Sequence, residues 1–228
     1  MEQKVAIVTG ASKGLGRAIA KRLAAEGIQV IACARSIKLL NTLANEAKKN
    51  ILPFPCDITD SNQVQSLISF AIEQTGRIDF IINNAGLGHF ANIENLSEDD
   101  WDEMMQVNLK GSFLTCKYAI PHLKQTKGHI VNISSIAGSV PFAGGGGYCA
   151  SKAGLNMLSE TLAIELKKHE VRVTTISPGS IKTQFHQQKD YALEPETVAE
   201  TVWNVINAPK SVIFSQITVR PQVPPKLL

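Results

Sequence analysis

Tyr148 and Lys152 form the pair of residues best suited to chemistry, because they stand four positions apart and would share one face of a helix. A free phenol has a pKa of about 10, so it exchanges protons poorly at neutral pH. A neighbouring ammonium group favours the phenolate and lowers that pKa. The pair therefore predicts a proton-transfer site in which Tyr148 acts as general acid or base and Lys152 tunes it.

Two other polar residues would complete such a site. Ser135 ends an apolar run and is suited to hydrogen-bond a substrate carbonyl, while Asn108 offers an amide on the preceding long helix. Taken alone, Tyr148 and Lys152 could equally be a chance helical pair with an exposed lysine. The presence of all four residues favours the catalytic interpretation.

A glycine-rich loop near the N-terminus is typical of a nucleotide site. It has the sequence TGASKGLG from Thr9 to Gly16 and stands between an apolar run and a helical pattern. Its glycines would let the backbone approach a pyrophosphate, which the free N–H groups of the helix start would bind. A turn that serves only helix packing is the alternative, since the spacing is not the general G-x-G-x-x-G. The predicted dinucleotide contacts are Gly10, Ser12, Lys13, Gly14, Leu15 and Gly16.

Two cations favour a phosphorylated ribose. Arg35 follows the second apolar run, about twenty residues after Gly16, where a Rossmann fold meets the adenosine ribose. An acidic residue there would accept a bond from the 2′-hydroxyl, whereas a guanidinium can hold a 2′-phosphate. Lys13 would add a second positive charge, unless both cations are simply solvated surface residues. The predicted cofactor is therefore NADP(H).

Apolar runs of strand length alternate with segments of helical period along the chain. This alternation predicts a parallel sheet with helices on both faces and right-handed crossovers, an α/β doubly wound fold. We expect one dinucleotide-binding catalytic domain over residues 1–228. The seven predicted strands are Val5 to Val8, Val30 to Ala34, Ile51 to Phe54, Ile78 to Ile82, His129 to Ile133, Val171 to Ile176 and Val212 to Val219.

Local signals mark helix starts and loops. Ser97 with Asp100 predicts an N-terminal cap before a long helix around 101–123, and Pro195 suits a first helical turn. A run of four glycines, 144–147, stands directly before Tyr148 and is too short for a domain linker. His89 and Phe90 follow the fourth strand closely enough to reach a substrate pocket.

Composition excludes several classes of protein. The chain has 228 residues, 44% of them hydrophobic, and a net charge of +3, with no basic run that would bind nucleic acid or an anionic membrane. No apolar stretch approaches the length of a membrane span. The four cysteines and five histidines show neither disulfide nor metal-ligand spacing, so no metal is predicted. A reducing, cytoplasmic location is expected.

The motifs together, in their order and spacing, resemble those of the short-chain dehydrogenase/reductase family, from residue 4 to about residue 183. The resemblance implies a single Rossmann-type domain with a seven-stranded parallel sheet, a nicotinamide cofactor and a small carbonyl or alcohol substrate. The residues that carry it are Thr9 to Gly16, Asn83-Asn84-Ala85-Gly86, Asn108, Ser135, Tyr148, Lys152 and Pro178-Gly179.

The family pattern implies a role for each matching residue. Tyr148 would be the general acid in reduction, Ser135 the carbonyl-orienting donor, and Lys152 a ribose ligand that modulates Tyr148. Asn108 would hold a water in the proton relay, and Asp57 would contact adenine unless it is a helix-capping aspartate. The further cofactor contacts that the resemblance implies are Ile58, Asn84, Ala85, Gly86, Tyr148, Lys152, Pro178, Gly179, Ile181 and Thr183.

Two departures from the family pattern limit the choice of substrate. Only residues 184–194 follow Thr183 before the next helix, so the substrate lid must be short. The C-terminal segment 213–221 resembles small carbonyl reductases and 3-hydroxy acid dehydrogenases more than 3-oxoacyl-carrier-protein reductases. A non-catalytic NADP-binding or sensor protein and a 3-oxoacyl thioester reductase stay as alternatives, and a sugar-nucleotide epimerase would need a larger C-terminal region.

The resemblance also implies a homodimer or homotetramer. Leu114, Leu155, Leu158 and Leu162, on the long helices around 101–124 and 148–168, exceed what one inward face obviously needs. Burial of these helices within one subunit is the alternative.

Overall fold

Strands and helices alternate along the chain in the computed structural model, which describes residues 2–47, 50–183 and 190–222. The strands are β1 (Val5–Thr9), β2 (Gln29–Ala34), β3 (Ile51–Pro55), β4 (Phe80–Asn83), β5 (His129–Ile133), β6 (Arg172–Pro178) and β7 (Gln216–Val219). The α-helices are α1 (Gly14–Ala25), α2 (Ile37–Ala47), α3 (Ser61–Thr75), α4 (Glu98–Met104), α5 (Ser112–Thr126), α6 (Gly146–Leu166) and α7 (Pro195–Ile206).

The seven strands form one parallel sheet in the order β3-β2-β1-β4-β5-β6-β7. This confirms the predicted doubly wound α/β fold. Because β1 lies beside β4, the chain reverses direction across the sheet at that point and opens a crevice at the carboxyl ends of the strands. The predicted site residues follow strands at this same edge.

Both faces of the sheet are covered, which explains why the strands are apolar without alternation. All five residues of β1 are buried. One core lies under α1, α2 and α7 and includes Ile19 and Val202, and the other lies under α3, α5 and α6 and includes Leu67 and Leu162. Each such side chain contributes about 1.5–3 kcal/mol when it leaves water.

The last strand is shorter than predicted. β7 pairs with β6 only from Gln216 onward, and Val212, Ile213 and Phe214 are exposed and lie before it. The apolar run therefore begins outside the sheet, where its side chains are not buried.

The predicted long helix is interrupted at a position that concerns the site. Ser97 caps α4, its hydroxyl accepting from Asp100 N as predicted. A π-helical segment, Met105–Gly111, then joins α4 to α5. Such wide turns often mark functional positions, and this one carries Asn108.

The four leucines named as a surplus for assembly belong to the subunit itself. Leu114, Leu155 and Leu162 are buried, and Leu158 packs against the same core. That reason for an oligomer was therefore wrong. The outward-facing apolar residues of α5 and α6 are Phe113, Met157 and Ile164.

Candidate active site

The glycine-rich loop packs tightly against the segment after β4. Thr9 Oγ1 accepts from Asn84 N and Ala85 N at 3.0 and 3.1 Å, and Asn84 Nδ2 donates to Thr9 O at 3.0 Å. Gly10 has a φ of +66°, and a Cβ there would lie 2.8 Å from Ala85 Cα. A Cβ at Gly16 would overlap the carbonyl of Gly10. The loop needs these glycines for its close approach.

The start of α1 is open toward the cleft. Lys13 is its N-cap residue and makes no side-chain capping bond. The first N–H groups of a helix have no intrahelical partner and attract anions, the more so with the helix dipole behind them. The loop and helix start are therefore built to hold phosphate.

Lys13 and Arg35 both line the cleft at this end and are exposed. Neither forms an ion pair with a carboxylate in the part of the chain that the structure describes. A third cation, Arg17, also lines the cleft, but its guanidinium binds Glu46 at 2.6 Å. Two exposed cations thus lie at the end of the cleft where the sequence predicts a binding site for the 2′-phosphate of NADP(H).

Asp57 lines the cleft beside Ile58 and does not cap a helix. Its Oδ1 accepts from Thr59 N and Thr59 Oγ1, whereas Asp60 is the N-cap residue of α3. The capping alternative for Asp57 is therefore wrong.

Ser135 and Tyr148 meet at the opposite end of the cleft. Ser135 follows β5, and Tyr148 lies in the first turn of α6. Their hydroxyl groups are hydrogen-bonded to each other, and Ser135 Oγ also accepts from Ala137 N at 3.2 Å. The two hydroxyls therefore converge on a single point in the cleft.

Lys152 is buried one helical turn after Tyr148. Its Nζ donates to Ile133 O at 3.0 Å and lies 5.9 Å from the centroid of the Tyr148 ring. Burial lowers the pKa of Lys152 to about 8, because desolvation penalises the ammonium. The amine is still mostly protonated at neutral pH.

Tyr148 differs from the expectation in the direction of its pKa. Burial raises the pKa above the usual value, and the hydrogen bond from Ser135 offsets this only in part. The predicted lowering by Lys152 does not dominate here, because desolvation of the phenolate is the larger effect. Tyr148 is thus a protonated phenol at neutral pH.

Asn108 lies behind the cleft rather than on its wall. It is fully buried, its Nδ2 donates to Leu87 O and Ser151 Oγ, and its Oδ1 accepts from Leu87 N. A Cβ at Gly86 would lie 3.2 Å from Asn108 Oδ1 and 3.4 Å from Lys152 Nζ. Asn108 therefore holds the loop after β4 against the lysine.

The segment after β6 closes the cleft from the other side. Gly179 N donates to Val219 O at 2.8 Å, and a Cβ at Gly14 would lie 3.2 Å from Thr183 Cγ2. Pro178, Gly179, Ile181 and Thr183 all line the cleft. Of the predicted lid, residues 184–189 lie outside the described residues, while Ala192 also lines the cleft.

A single cleft of about 1540 Å³ brings these residues together. Except for Asn108, every predicted catalytic or cofactor residue lines it. In the described ranges, no group of His, Cys, Asp or Glu is arranged to hold a metal ion, and no helix there is long and apolar enough to cross a membrane.

The family model for short chain dehydrogenase matches residues 4–194. The chain belongs to the short-chain dehydrogenase/reductase family. It is 37% identical over 227 residues to an uncharacterized oxidoreductase of Staphylococcus aureus (strain MRSA252), covering 97% of this chain and 98% of that one. A similar protein of Staphylococcus epidermidis (strain ATCC 12228) is 32% identical over 226 residues, again covering 97% and 98%.

Solved structures of the family match the fold closely. An alcohol dehydrogenase from the archaeon Thermococcus sibiricus, complexed with 5-hydroxy-NADP, has a TM-score of 0.90 at 33% identity, covering 98% of this chain and 99% of that one. A metagenomic short-chain oxidoreductase in complex with NADP has a TM-score of 0.88 at 35% identity, with the same coverage.

The structure corrects the predicted substrate end of the cleft at His89 and adds two residues. His89 was expected near the substrate, but its ring binds Glu103 at 2.8 Å and Asp100 at 3.3 Å and so turns toward α4. Phe90 does line the cleft, as expected, together with Val140 and Phe142, which were not foreseen. In the sequence, Val140 and Phe142 are marked only as apolar residues in a loop, which does not show that they line a cleft.

Proposed function

We propose that the protein is an NADP(H)-dependent oxidoreductase that interconverts a carbonyl and an alcohol. The observation that carries the proposal is the convergence of Ser135, Tyr148 and Lys152 at one end of a dinucleotide-sized cleft. A phenol hydrogen-bonded to a serine hydroxyl, with a buried ammonium one helical turn away, forms a set suited to proton transfer at a carbonyl oxygen.

The cofactor half of the proposal rests on the fit of the loop and its cations. The glycines of the loop leave room for a pyrophosphate, and the open start of α1 favours its charge. Lys13 and Arg35 would hold a 2′-phosphate, and the Thermococcus sibiricus and metagenomic structures, which carry NADP-type ligands, support that preference. When bound, the nicotinamide would donate or accept the hydride.

The protein's own residues would handle the proton. Ser135 would donate a hydrogen bond to the substrate oxygen, and Tyr148 would give its proton to the same oxygen during reduction. Because burial raises the pKa of Tyr148, the phenol is in its donating form at neutral pH. Lys152 would place a positive charge beside the tyrosinate that forms, and Asn108 would position the loop at Leu87 and a relay water.

The direct test is Tyr148→Phe, which removes the hydroxyl and leaves the ring. Reduction of a ketone or aldehyde, followed by NADPH absorbance, should slow on the order of 10² or more while the Kd for NADPH is retained. Tyr118→Phe is the matched control, because Tyr118 bonds Ser61 Oγ on α3 and does not line the cleft. Near-normal turnover in Tyr148→Phe would contradict the proposal, and tight NADPH binding with no turnover by the wild type would favour the non-catalytic alternative.

We also propose that a second copy of the chain covers the outer faces of α5 and α6. Met157 and Ile164 are 63% and 78% exposed on α6, and Phe113 is exposed on α5. Exposed apolar residues on two neighbouring helices are typical of a subunit contact, and a two-fold contact would bring both helices of each copy together. Light scattering at micromolar concentration should give a dimer or tetramer, and Ile164→Asp should shift it toward a monomer; a monomeric wild type would contradict the proposal.

A further inference from the structure

The mouth of the cleft beside Tyr148 carries an unusual set of exposed apolar side chains. Phe90, Val140 and Phe142 are 38%, 51% and 48% exposed, and all three line the cleft that Tyr148 lines. Large apolar groups that stay in water next to a reacting group indicate a ligand that covers them.

The rings are arranged as one continuous surface. The Phe90 ring meets the Tyr148 ring at 5.6 Å and 69°, and it meets the Phe142 ring at 5.8 Å and 46°. Both are ordinary geometries for paired aromatic side chains. We call Phe90, Val140, Phe142 and the Tyr148 ring the aromatic wall; it leads from the mouth of the cleft to the proton-donating hydroxyl.

The run of four glycines before Tyr148 explains how the wall is placed. A Cβ at Gly145 would lie 2.5 Å from Cζ of Phe142, so only glycine lets the ring rest against the start of α6. Gly146 and Gly147 give the same room to Ile93 and Met104. The run is therefore a packing surface for apolar side chains, and Gly145 determines where Phe142 stands.

The aromatic wall offers no charged partner to an anionic ligand. Of the described residues that line the cleft around Tyr148, Lys152 and Lys182 are charged; Lys152 Nζ donates to Ile133 O, and Lys182 binds Glu194 at 2.6 Å. A substrate carboxylate that covered the wall would therefore lose hydration without gaining a cation there.

Resting on the carbonyl–alcohol activity proposed above, we propose that the aromatic wall selects uncharged carbonyl compounds with an aryl or bulky apolar substituent. The substituent covers Phe90 and Phe142 while the carbonyl oxygen reaches Ser135 and Tyr148. Oxo acids are poor substrates because the described wall supplies apolar surface where a carboxylate needs a cation.

A matched pair of aldehydes tests the charge preference. Methyl 4-formylbenzoate and 4-carboxybenzaldehyde share the ring and the reacting aldehyde, and the acid has a carboxylate where the ester has an uncharged methyl ester. With NADPH, kcat/KM should be about tenfold or more higher for the ester. Val140→Lys should raise kcat/KM for the acid several-fold, and the neutral Val140→Gln should not. Equal or better use of the acid by the wild type would overturn the inference.

Phe142→Ala tests the aromatic preference. It should lower kcat/KM for the ester about tenfold more than for propanal, which is too small to cover the wall, and the larger loss should arise mainly through KM. Phe142→Leu should retain part of the preference, because it keeps apolar surface. An equal loss with propanal, together with weaker NADPH binding, would show a packing role for Phe142 and overturn the inference.

A binding measurement separates this inference from the proposed activity. Calorimetry on the Tyr148→Phe protein loaded with NADP+, which has no hydride to give, measures the Kd of the ester and of the acid without turnover. Tighter binding of the ester supports the inference even if the wild type proves inactive, which would defeat only the proposed function. Tighter binding of the acid overturns the inference even if the wild type is active.

Discussion

The two ends of the cleft use positive charge in opposite ways. At the glycine-rich loop, Lys13 and Arg35 stand exposed in water, where charges are screened by salt. At the other end, Lys152 is 4% exposed and its pKa falls to about 8. The exposed cations are suited to recognise a charged group of the cofactor, and the buried one is suited to act on a proton.

Because of this difference, substitutions at the glycine-rich loop should mainly change cofactor affinity, and substitutions around Tyr148 should mainly change turnover. An exposed ion contact is of modest strength and can be exchanged for another charge without harm to the fold. A buried ammonium acts in a low-dielectric setting, and its loss removes the hydrogen bond that Lys152 donates to Ile133 O.

The largest effect is expected for Lys152→Met, which keeps the length of the side chain and removes its charge. Turnover should fall on the order of 10² or more, and NADPH should bind more weakly, since this residue is proposed to serve both the proton and the ribose. Steady-state rates and fluorescence titration with NADPH measure the two. Lys167→Met, at the exposed end of α6, is the matched control and should change neither. Loss of turnover with unchanged NADPH affinity would remove the ribose role.

Arg35→Asp should have a smaller effect, confined to the choice of cofactor. Loss of a charged hydrogen bond of about 1.5–3 kcal/mol, with an acidic group in its place, should shift preference toward NADH by roughly tenfold to a hundredfold. The ratio of kcat/KM for NADPH and NADH measures the shift. Lys38→Asp makes a similar charge change on α2, outside the cleft lining, and should leave the ratio unchanged. Equal use of both cofactors by the wild type would contradict the 2′-phosphate assignment.

The smallest effect concerns pH. Because the pKa of Lys152 is lowered to about 8, its ammonium is present below that pH and lost as pH rises through it. Reduction should therefore decline above about pH 8, while alcohol oxidation, which needs the deprotonated Tyr148, should gain as pH rises. Lys152→Arg, which stays charged, should move the decline in reduction to higher pH. An unmoved decline would assign it to another group.

The alternation of apolar runs was sufficient to predict the sheet, because nearly every residue of a parallel strand that is buried on both faces is apolar. β5 spans the predicted residues, and the strands at the centre differ by one or two residues. The predicted last strand wrongly included the exposed residues Val212 to Phe214, since an apolar run does not show whether a neighbouring element covers it.

The position of the candidate site residues was predictable from the sequence, and their environment was not. The spacing of Tyr148 and Lys152 placed both on one helix face, and the glycine pattern placed the loop. The pKa of Tyr148 depends on how deeply the fold buries the ring, which no spacing shows. The π-helical segment around Asn108 and the resting place of Phe142 on Gly145 likewise depend on contacts between distant segments.

If the exposed end of the cleft selects the cofactor and the buried end performs the proton transfer, substitutions at the two ends should change different quantities. A side-by-side measurement of Tyr148→Phe and Arg35→Asp, with kcat at saturating NADPH and Kd for NADPH on the same preparations, tests this directly. Tyr148→Phe should lose on the order of 10² or more in kcat with an unchanged Kd, whereas Arg35→Asp should raise the Kd with a nearly unchanged kcat. If either variant changed both quantities in parallel, the division of labour between the two ends would be contradicted.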